Sequence, residues 1–202
     1  MKLYYSPGTC SLSPNIVARE AGIDLTLEKV DLTTKKTASG RDYLAINPKG
    51  YVPALELDDK RTLTEGPANV QYLADQKPES GLAPPNGTYE RYKLQEMLNY
   101  VTAELHKTYS PLFRKETPEE TREDRLGYLR KRYKLIDHLL EGKTFLLGDR
   151  FTVADAYLFA VTRWAHGVKL DLSEFKHVQE FMQRIAERPA VKAAMEAEGL
   201  KK

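Results

Sequence analysis

The chain has 202 residues, of which 41% are hydrophobic and 30% are charged, and its formal net charge is +2. A chain of this length and composition can bury a substantial core, which excludes extensive disorder. The near balance of 31 basic and 29 acidic residues gives no indication of a nucleic acid or an anionic membrane as partner.

No targeting segment or membrane span is expected. Met1 and Lys2 are followed by Leu3-Tyr4-Tyr5 and then at once by the turn residues Ser6-Pro7-Gly8, so the apolar core of a signal peptide is lacking. The longest apolar run, residues 156–161, is far too short to cross a bilayer. The single cysteine, Cys10, cannot form an internal disulfide, so a reducing, cytoplasmic setting is the simplest interpretation. The four histidines show no metal-ligand spacing, and neither a metal nor a resident cofactor is expected.

The first part of the chain alternates strand-like and helix-like segments. The pattern predicts strands over 2–5 and 25–30, a hairpin of strands over 54–57 and 61–64, and helices over 14–21 and 68–74. This β-α-β, then β-β-α order predicts a sheet covered by helices. A segment rich in proline and glycine then predicts a linker over 78–88, which separates a domain of residues 1–77 from an all-helical domain of residues 89–202.

The second part is predicted to be helical throughout. Apolar residues recur at helical spacing from 94 to 109, and Thr117 with Glu120 forms a capping-box pattern for a helix that ends near 141. Thr152 and Asp155 form a second capping-box pattern, which opens an apolar helix through 164. A further helix is predicted over 175–187, ending near Pro189.

Cys10 is the first candidate for chemistry. It follows a predicted strand and a Ser-Pro-Gly turn, and it precedes a helix for which Ser11 and Ser13 are candidate N-caps and Pro14 fits the first helical position. A thiol beside a helix N-terminus commonly has its pKa lowered from ~8.5 to ~3.5–7.5. The sequence equally allows a buried, unreactive cysteine, the usual state of a lone one.

Two further segments could bind a peptide-like ligand. A cis bond at Val52-Pro53 would leave the N–H and C=O of Val52 unpaired and able to receive a peptide as an extra strand, although an ordinary trans proline is the commoner state. Glu65, before Gly66 at a strand-to-helix junction, could accept an amino group while nearby N–H groups accept a carboxylate. The simpler alternative is a helix-start glutamate that interacts only with the helix dipole.

A stripe of polar residues follows one face of the predicted helix near residue 100. It consists of Gln95, Asn99, Thr102 or Ala103, His106 and Ser110. Such a stripe suits a wet cleft, in which His106 could exchange a proton near neutral pH, but it equally suits a solvent-facing surface. Tyr4 and Tyr5 are possible hydroxyl donors at the end of the first strand, or simply packed rings.

Together and in this order, the motifs resemble those of the beta class of bacterial glutathione S-transferases. The matching stretches cover nearly the whole chain: MKLYYSPGTCSLSPN, YLAINPKGYVPALELDD, LTEGPANVQYLAD, RYKLQEMLNYVTAELHKTYSPLF, FTVADAYLF and MQRIAERPAV. The resemblance implies a thioredoxin-like glutathione-binding domain followed by an all-helical domain, in a homodimer. It implies attack of the glutathione thiolate on an electrophilic carbon of an apolar substrate, with halide displacement as one form. Glutathione is then a co-substrate and no other cofactor is needed.

The resemblance also assigns residues. Cys10 is implied to lie against the glutathione sulfur, with His106 near the thiol, and these two are the candidate catalytic residues. Further glutathione contacts are implied at Lys35, Val52, Glu65, Gly66, Asn99, Ala103, Glu104 and Leu105, some of them serving a partner subunit. Gly66 and Ala103 replace serines of some relatives, so that only backbone N–H groups remain there.

Three alternatives stay open at the level of sequence. Cys10 could form a mixed disulfide with glutathione in a monothiol oxidoreductase. The protein could carry apolar ligands without catalysis. Tyr5, at a place like the catalytic tyrosine of other classes, could replace Cys10 as the important group. The electrophile itself is not indicated by any residue.

Overall fold

The computed structural model describes residues 1–200, which form two compact units. The first unit combines residues 1–83 with residues 186–200, and the second consists of residues 84–185. The strands are β1 (Lys2–Tyr5), β2 (Thr26–Asp31), β3 (Lys36–Thr37), β4 (Ala54–Glu56) and β5 (Thr62–Thr64). The α-helices are α1 (Leu12–Glu20), α2 (Gly66–Asp75), α3 (Tyr89–Tyr100), α4 (Lys107–Tyr109), α5 (Glu119–Leu140), α6 (Val153–Thr162), α7 (Trp164–Gly167), α8 (Lys176–Ala186) and α9 (Pro189–Ala197).

The first unit is built on a five-stranded sheet in the order β3-β2-β1-β4-β5. β1 and β2 are parallel, as the helical crossover α1 requires, and the other neighbouring pairs are antiparallel. The predicted β-α-β, then β-β-α order is therefore confirmed. The short β3 escapes the sequence pattern because two residues cannot display an alternation.

The core of the first unit lies between the sheet and its helices. Leu3 of β1 and Leu55 of β4 are fully buried, as are Ile16 of α1 and Leu73 of α2. The central strands and both helices thus contribute apolar side chains to this core, and burying each side chain stabilises the fold by about 1.5–3 kcal/mol.

The last helix belongs to this first unit, whereas the sequence pattern grouped residues 89–202 together. Arg188, just before α9, forms a two-pronged ion pair with Glu20 at the end of α1. Asn15 of α1 donates to the C=O of Ala194 and to the carboxylate of Glu198. These pairings over long sequence separation cannot be inferred from local periodicity.

The second unit begins with an irregular helical run. α3 passes into a π-helix over Val101–His106, then into α4 and a 3-10 turn over Ser110–Phe113. A π-helix is rare and is frequently found at functional sites. Within residues 1–200, no helix combines the length and apolar character needed to cross a bilayer.

One predicted capping box forms and the other does not. Thr152 and Asp155 cap α6 as expected, and Asp155 accepts the N–H groups of Thr152 and Leu146 at 2.8 Å each. Burial raises the pKa of Asp155 to about 6, against the effect of these hydrogen bonds. The predicted cap at Thr117 is wrong. The N-cap of α5 is Pro118, because the Thr117 hydroxyl donates instead to the C=O of Pro111 at 2.6 Å.

Candidate functional site

Cys10 lies in a tight loop between β1 and α1. The Thr9 N–H donates to the C=O of Ser6 at 3.2 Å, and the Ser6 N–H donates to the Ser11 hydroxyl at 3.2 Å. α1 begins at Leu12, so the thiol is placed just before a helix start, as predicted. The side chain of Cys10 is buried, with 8% of its surface exposed.

Two backbone N–H groups at this helix start are already paired. The N–H of Leu12 donates to the C=O of Thr9 and that of Ser13 to the C=O of Cys10, both at 3.1 Å. Neither predicted serine cap forms: Ser11 occupies the N-cap position without a side-chain cap, and the Ser13 hydroxyl donates to the C=O of Cys10 at 2.8 Å. An anion beside this loop would therefore be stabilised mainly by the helix dipole and less by unpaired N–H groups.

The Cys10 thiol donates to the C=O of Val52 at 3.4 Å. Topology brings them together, because β1 and β4 run antiparallel with Tyr4 opposite Ala54. Residues that follow β1 therefore lie beside residues that precede β4. The Val52-Pro53 bond is cis, as considered from the sequence. The Val52 C=O is not left unpaired as expected, because it accepts one hydrogen bond from the thiol, but its second lone pair can accept another.

The loop before Val52 is fixed by polar side chains. Lys35 donates to the C=O of Gly50 at 2.9 Å, from a left-handed backbone conformation with φ of 55°. Asn47 and Tyr43 both donate to the C=O of Tyr51 at 2.7 Å. Lys35 is thereby brought to the same loop as Val52, which local sequence spacing alone does not reveal.

Glu65 and Gly66 form the start of α2. Glu65 has φ of 71° and ψ of 119°, a conformation that non-glycine residues rarely adopt and that is found mainly at functional sites. Gly66 is the first helical residue, so its N–H is one that the helix itself cannot pair, and Pro67 has none. The exposed Glu65 carboxylate lies 2.6 Å from Lys49 Nζ, a partner that sequence reasoning missed.

The helical candidates differ in how accessible their side chains are. Asn99 and Ala103 are exposed, but Leu105 is fully buried in the core of the second unit. Glu104 accepts from the Tyr128 hydroxyl at 2.5 Å and pairs with Arg132 at 2.9 Å. These contacts give Leu105 and the Glu104 carboxylate structural roles that the resemblance did not indicate.

His106 lies at the end of the π-helix, between two aromatic rings of the second unit. Its Nδ1 is 2.7 Å from the Tyr157 hydroxyl, and its ring meets the Trp164 ring edge-on at 4.9 Å between centroids. No sequence signal pointed to Tyr157, because a tyrosine in an apolar helix is ordinarily a packing residue.

Tyr4 and Tyr5 are both constrained. Tyr4 is fully buried and donates to Glu56 at 2.9 Å, so its hydroxyl is used within the fold. Burial raises the pKa of Tyr5, and nearby Glu198 raises it further. Tyr5 therefore remains a neutral phenol near neutral pH.

The first unit thus gathers Cys10, Lys35, Val52, Glu65 and Gly66 through the loop before β4 and the two helix starts, while the other candidates lie in the second unit.

A sheet of this topology, followed by helices, defines a thioredoxin-like domain with an all-helical domain, which confirms the predicted fold class. Residues 8–76 match the family model for the glutathione S-transferase N-terminal domain, and residues 100–189 match that for the C-terminal domain.

Individual relatives agree with these matches. The glutathione S-transferase GstA of Escherichia coli O157:H7 is 52% identical over 201 residues, covering 100% of both chains. A sphingomonad glutathione S-transferase, solved in complex with glutathione, is 43% identical with a TM-score of 0.96, and a beta-class glutathione S-transferase of Sphingomonas chungbukensis is 44% identical with the same score. Each of these two covers 100% of both chains. The chain belongs to the glutathione S-transferase family, as the sequence motifs predicted.

Proposed function

We propose that the protein is a glutathione transferase that binds glutathione on its first unit and adds the tripeptide's thiolate to electrophilic carbons of apolar substrates. The observation that carries this proposal is the arrangement of Cys10, Val52 and Glu65. The Cys10 thiol lies against the backbone of the loop before β4, and Glu65 stands at the start of α2 with a positive backbone φ of 71°.

Each part of the tripeptide has a matching group on the first unit. The backbone of Val52 pairs with the cysteinyl peptide group in the manner of an added strand. The Gly66 N–H and the dipole of α2 bind the γ-glutamyl carboxylate, and Glu65 binds the ammonium. Lys35 provides a cation for the glycyl carboxylate. In this arrangement Cys10 lies beside the glutathione sulfur.

The chemical demand on the protein is modest. Lowering the pKa of the glutathione thiol by one unit requires about 1.4 kcal/mol in favour of the thiolate. The thiolate then forms an S–C bond while the bond from that carbon to its leaving group breaks, and a halide departs with the electron pair. Holding both reactants in place supplies much of the acceleration. In the second unit, His106, Asn99 and Ala103 remain candidate glutathione-binding residues.

We also propose a homodimer in the cytoplasm. Tyr89 and Tyr92 lie one turn apart on α3 and are 73% and 61% exposed. Two large exposed rings on one helix are typical of a surface that a protein partner covers. The single cysteine is consistent with a reducing compartment. Light scattering, which gives the molar mass in solution, is the first test of the proposed dimer.

Calorimetric titration with reduced glutathione, followed by turnover of an activated aryl chloride, tests the proposed function. We expect Glu65→Gln to raise the KM for glutathione about tenfold, because a charge-assisted hydrogen bond is lost. Asp59→Asn, which removes another exposed, ion-paired carboxylate of the same unit, is the matched control and should leave the KM unchanged. Absence of both binding heat and turnover would refute the proposal.

Cys10→Ala separates conjugation from disulfide chemistry. We expect conjugation to persist, since the nucleophile is the glutathione sulfur, while any glutathione-dependent disulfide reduction disappears. Conjugation abolished together with disulfide reduction would assign Cys10 a direct part in the reaction.

A further inference from the structure

A buried tyrosine hydroxyl faces the histidine of the helical unit. Tyr157 of α6 is 1% exposed, and its hydroxyl lies 2.7 Å from His106 Nδ1. Thr102, one turn before His106, lies 3.3 Å from the same hydroxyl. The three side chains therefore form a short hydrogen-bonded chain within the second unit.

The direction of these hydrogen bonds follows from counting protons and comparing distances. The Thr102 hydroxyl has one proton and lies 2.8 Å from the C=O of Leu98, which can only accept. If Thr102 donates to Leu98, the Tyr157 hydroxyl has two acceptors, His106 Nδ1 at 2.7 Å and the Thr102 oxygen at 3.3 Å, and the shorter distance favours Nδ1. If Thr102 donates to Tyr157 instead, the Tyr157 proton again goes to Nδ1. With Tyr157 donating over the shorter distance to Nδ1, the proton of the neutral His106 ring lies on Nε2.

We propose that Tyr157 is a positioning residue that fixes His106 as the Nε2–H tautomer, so that His106 acts as a hydrogen-bond donor to an anion. The hydrogen bond at one ring nitrogen decides which form the other takes. This proposal rests on the proposed function only for its expected effect on kcat. No proton is transferred in this role.

The backbone and a second ring restrict the same imidazole. His106 closes the π-helix Val101–His106, whose wider turn changes the direction of the side chains that follow it. Trp164 packs against the ring at an interplanar angle of 72°. With Tyr157 also meeting the ring at 64°, the imidazole has one aromatic neighbour from α6 and one from α7. Its orientation is therefore set by packing as well as by the hydrogen bond.

The experiment compares Tyr157→Phe with Tyr133→Phe by nitrogen-15 NMR of the histidine side chains. Tyr133 is a matched control, because it is also buried and its hydroxyl hydrogen-bonds to Tyr109 and Thr162. The chain has four histidines, so a His106→Gln variant assigns the signals. In the wild type, at a pH where the ring is neutral, we expect Nδ1 to be unprotonated and Nε2 protonated.

In Tyr157→Phe we expect the two nitrogen signals to move towards each other, as both tautomers become populated, while Tyr133→Phe keeps the wild-type pattern. We also expect kcat to fall about tenfold, with the KM for glutathione changed by less than about twofold. A proton on Nδ1 in the wild type, or unchanged signals in Tyr157→Phe, would overturn the proposal.

The wild-type NMR measurement keeps the test decisive even where a variant fails to fold. It also needs no substrate. Lack of transferase activity would therefore refute the proposed function, whereas the tautomer alone decides whether Tyr157 positions His106.

Discussion

Asn69 is a buried amide without a hydrogen-bond partner in the part of the chain that the structure describes. It lies on the inner face of α2, is 0% exposed, and neither Nδ2 nor Oδ1 meets a partner among residues 1–200. Other buried residues of α2, such as Val70 and Leu73, are apolar and fully buried. We predict that Asn69→Leu stabilises the protein.

The magnitude follows from the two amide atoms. Leaving a buried polar group unsatisfied costs about 1–3 kcal/mol, so removing both recovers roughly 2–6 kcal/mol. Leucine has the same branched side-chain skeleton, which limits the repacking cost to less than about 1.5 kcal/mol. We therefore expect a net gain of about 2 kcal/mol in the free energy of unfolding, equivalent to a rise in Tm of about 4–8 °C.

Urea unfolding followed by circular dichroism measures this change. Asn15→Leu is the matched control, because the amide of Asn15 is buried but paired with the Ala194 C=O, the Glu198 carboxylate and Arg19. That variant should lose about 2 kcal/mol or more, since it removes a hydrogen bond from a buried carboxylate. A folded Asn69→Leu protein that is no more stable than the wild type would refute the reasoning.

Three further predictions follow from the polar contacts. Burial works to raise the pKa of Glu28, but hydrogen bonds from Lys2 and other donors hold that pKa at about 2. Because this folded-state pKa lies below the ordinary value of 4.5, we expect Glu28→Gln to destabilise the protein by roughly 3 kcal/mol at pH 7. This difference in stability between wild type and variant should disappear as the pH falls from about 4.5 towards about 2. A difference in urea midpoint between wild type and Glu28→Gln that stayed constant across this pH range would contradict the prediction. Thr152→Ala should cost about 1–2 kcal/mol and Thr117→Ala less than about 1 kcal/mol, because only Thr152 caps a helix; equal losses would refute this. Lys49→Met should lower the KM for glutathione by at most about fivefold, by removing an exposed cation from Glu65; a raised KM would show that Lys49 assists binding.

Much of the first unit could be predicted because its signals are local. Alternation and turn residues place the strands, and the turn before Cys10 places the thiol at a helix start. Whether that helix start can bind an anion could not be predicted in the same way. Whether the N–H groups of Leu12 and Ser13 are available to an anion depends on the loop's own hydrogen bonds, which no residue pattern encodes.

The capping boxes show the same division. Thr117 and Thr152 carry equivalent local patterns, yet only Thr152 caps its helix. The Thr117 hydroxyl finds the C=O of Pro111 instead, and the choice between two acceptors depends on how the preceding turn folds back.

The amino-acid sequence by itself determined the order of the elements, the position of Cys10 and the family, because periodicity, punctuation and ordered motifs are properties of neighbours along the chain. The tertiary structure alone decided which distant groups meet. It placed α9 against α1, the thiol against Val52, and Tyr157 against His106, because these contacts depend on how the strands and helices pack in three dimensions.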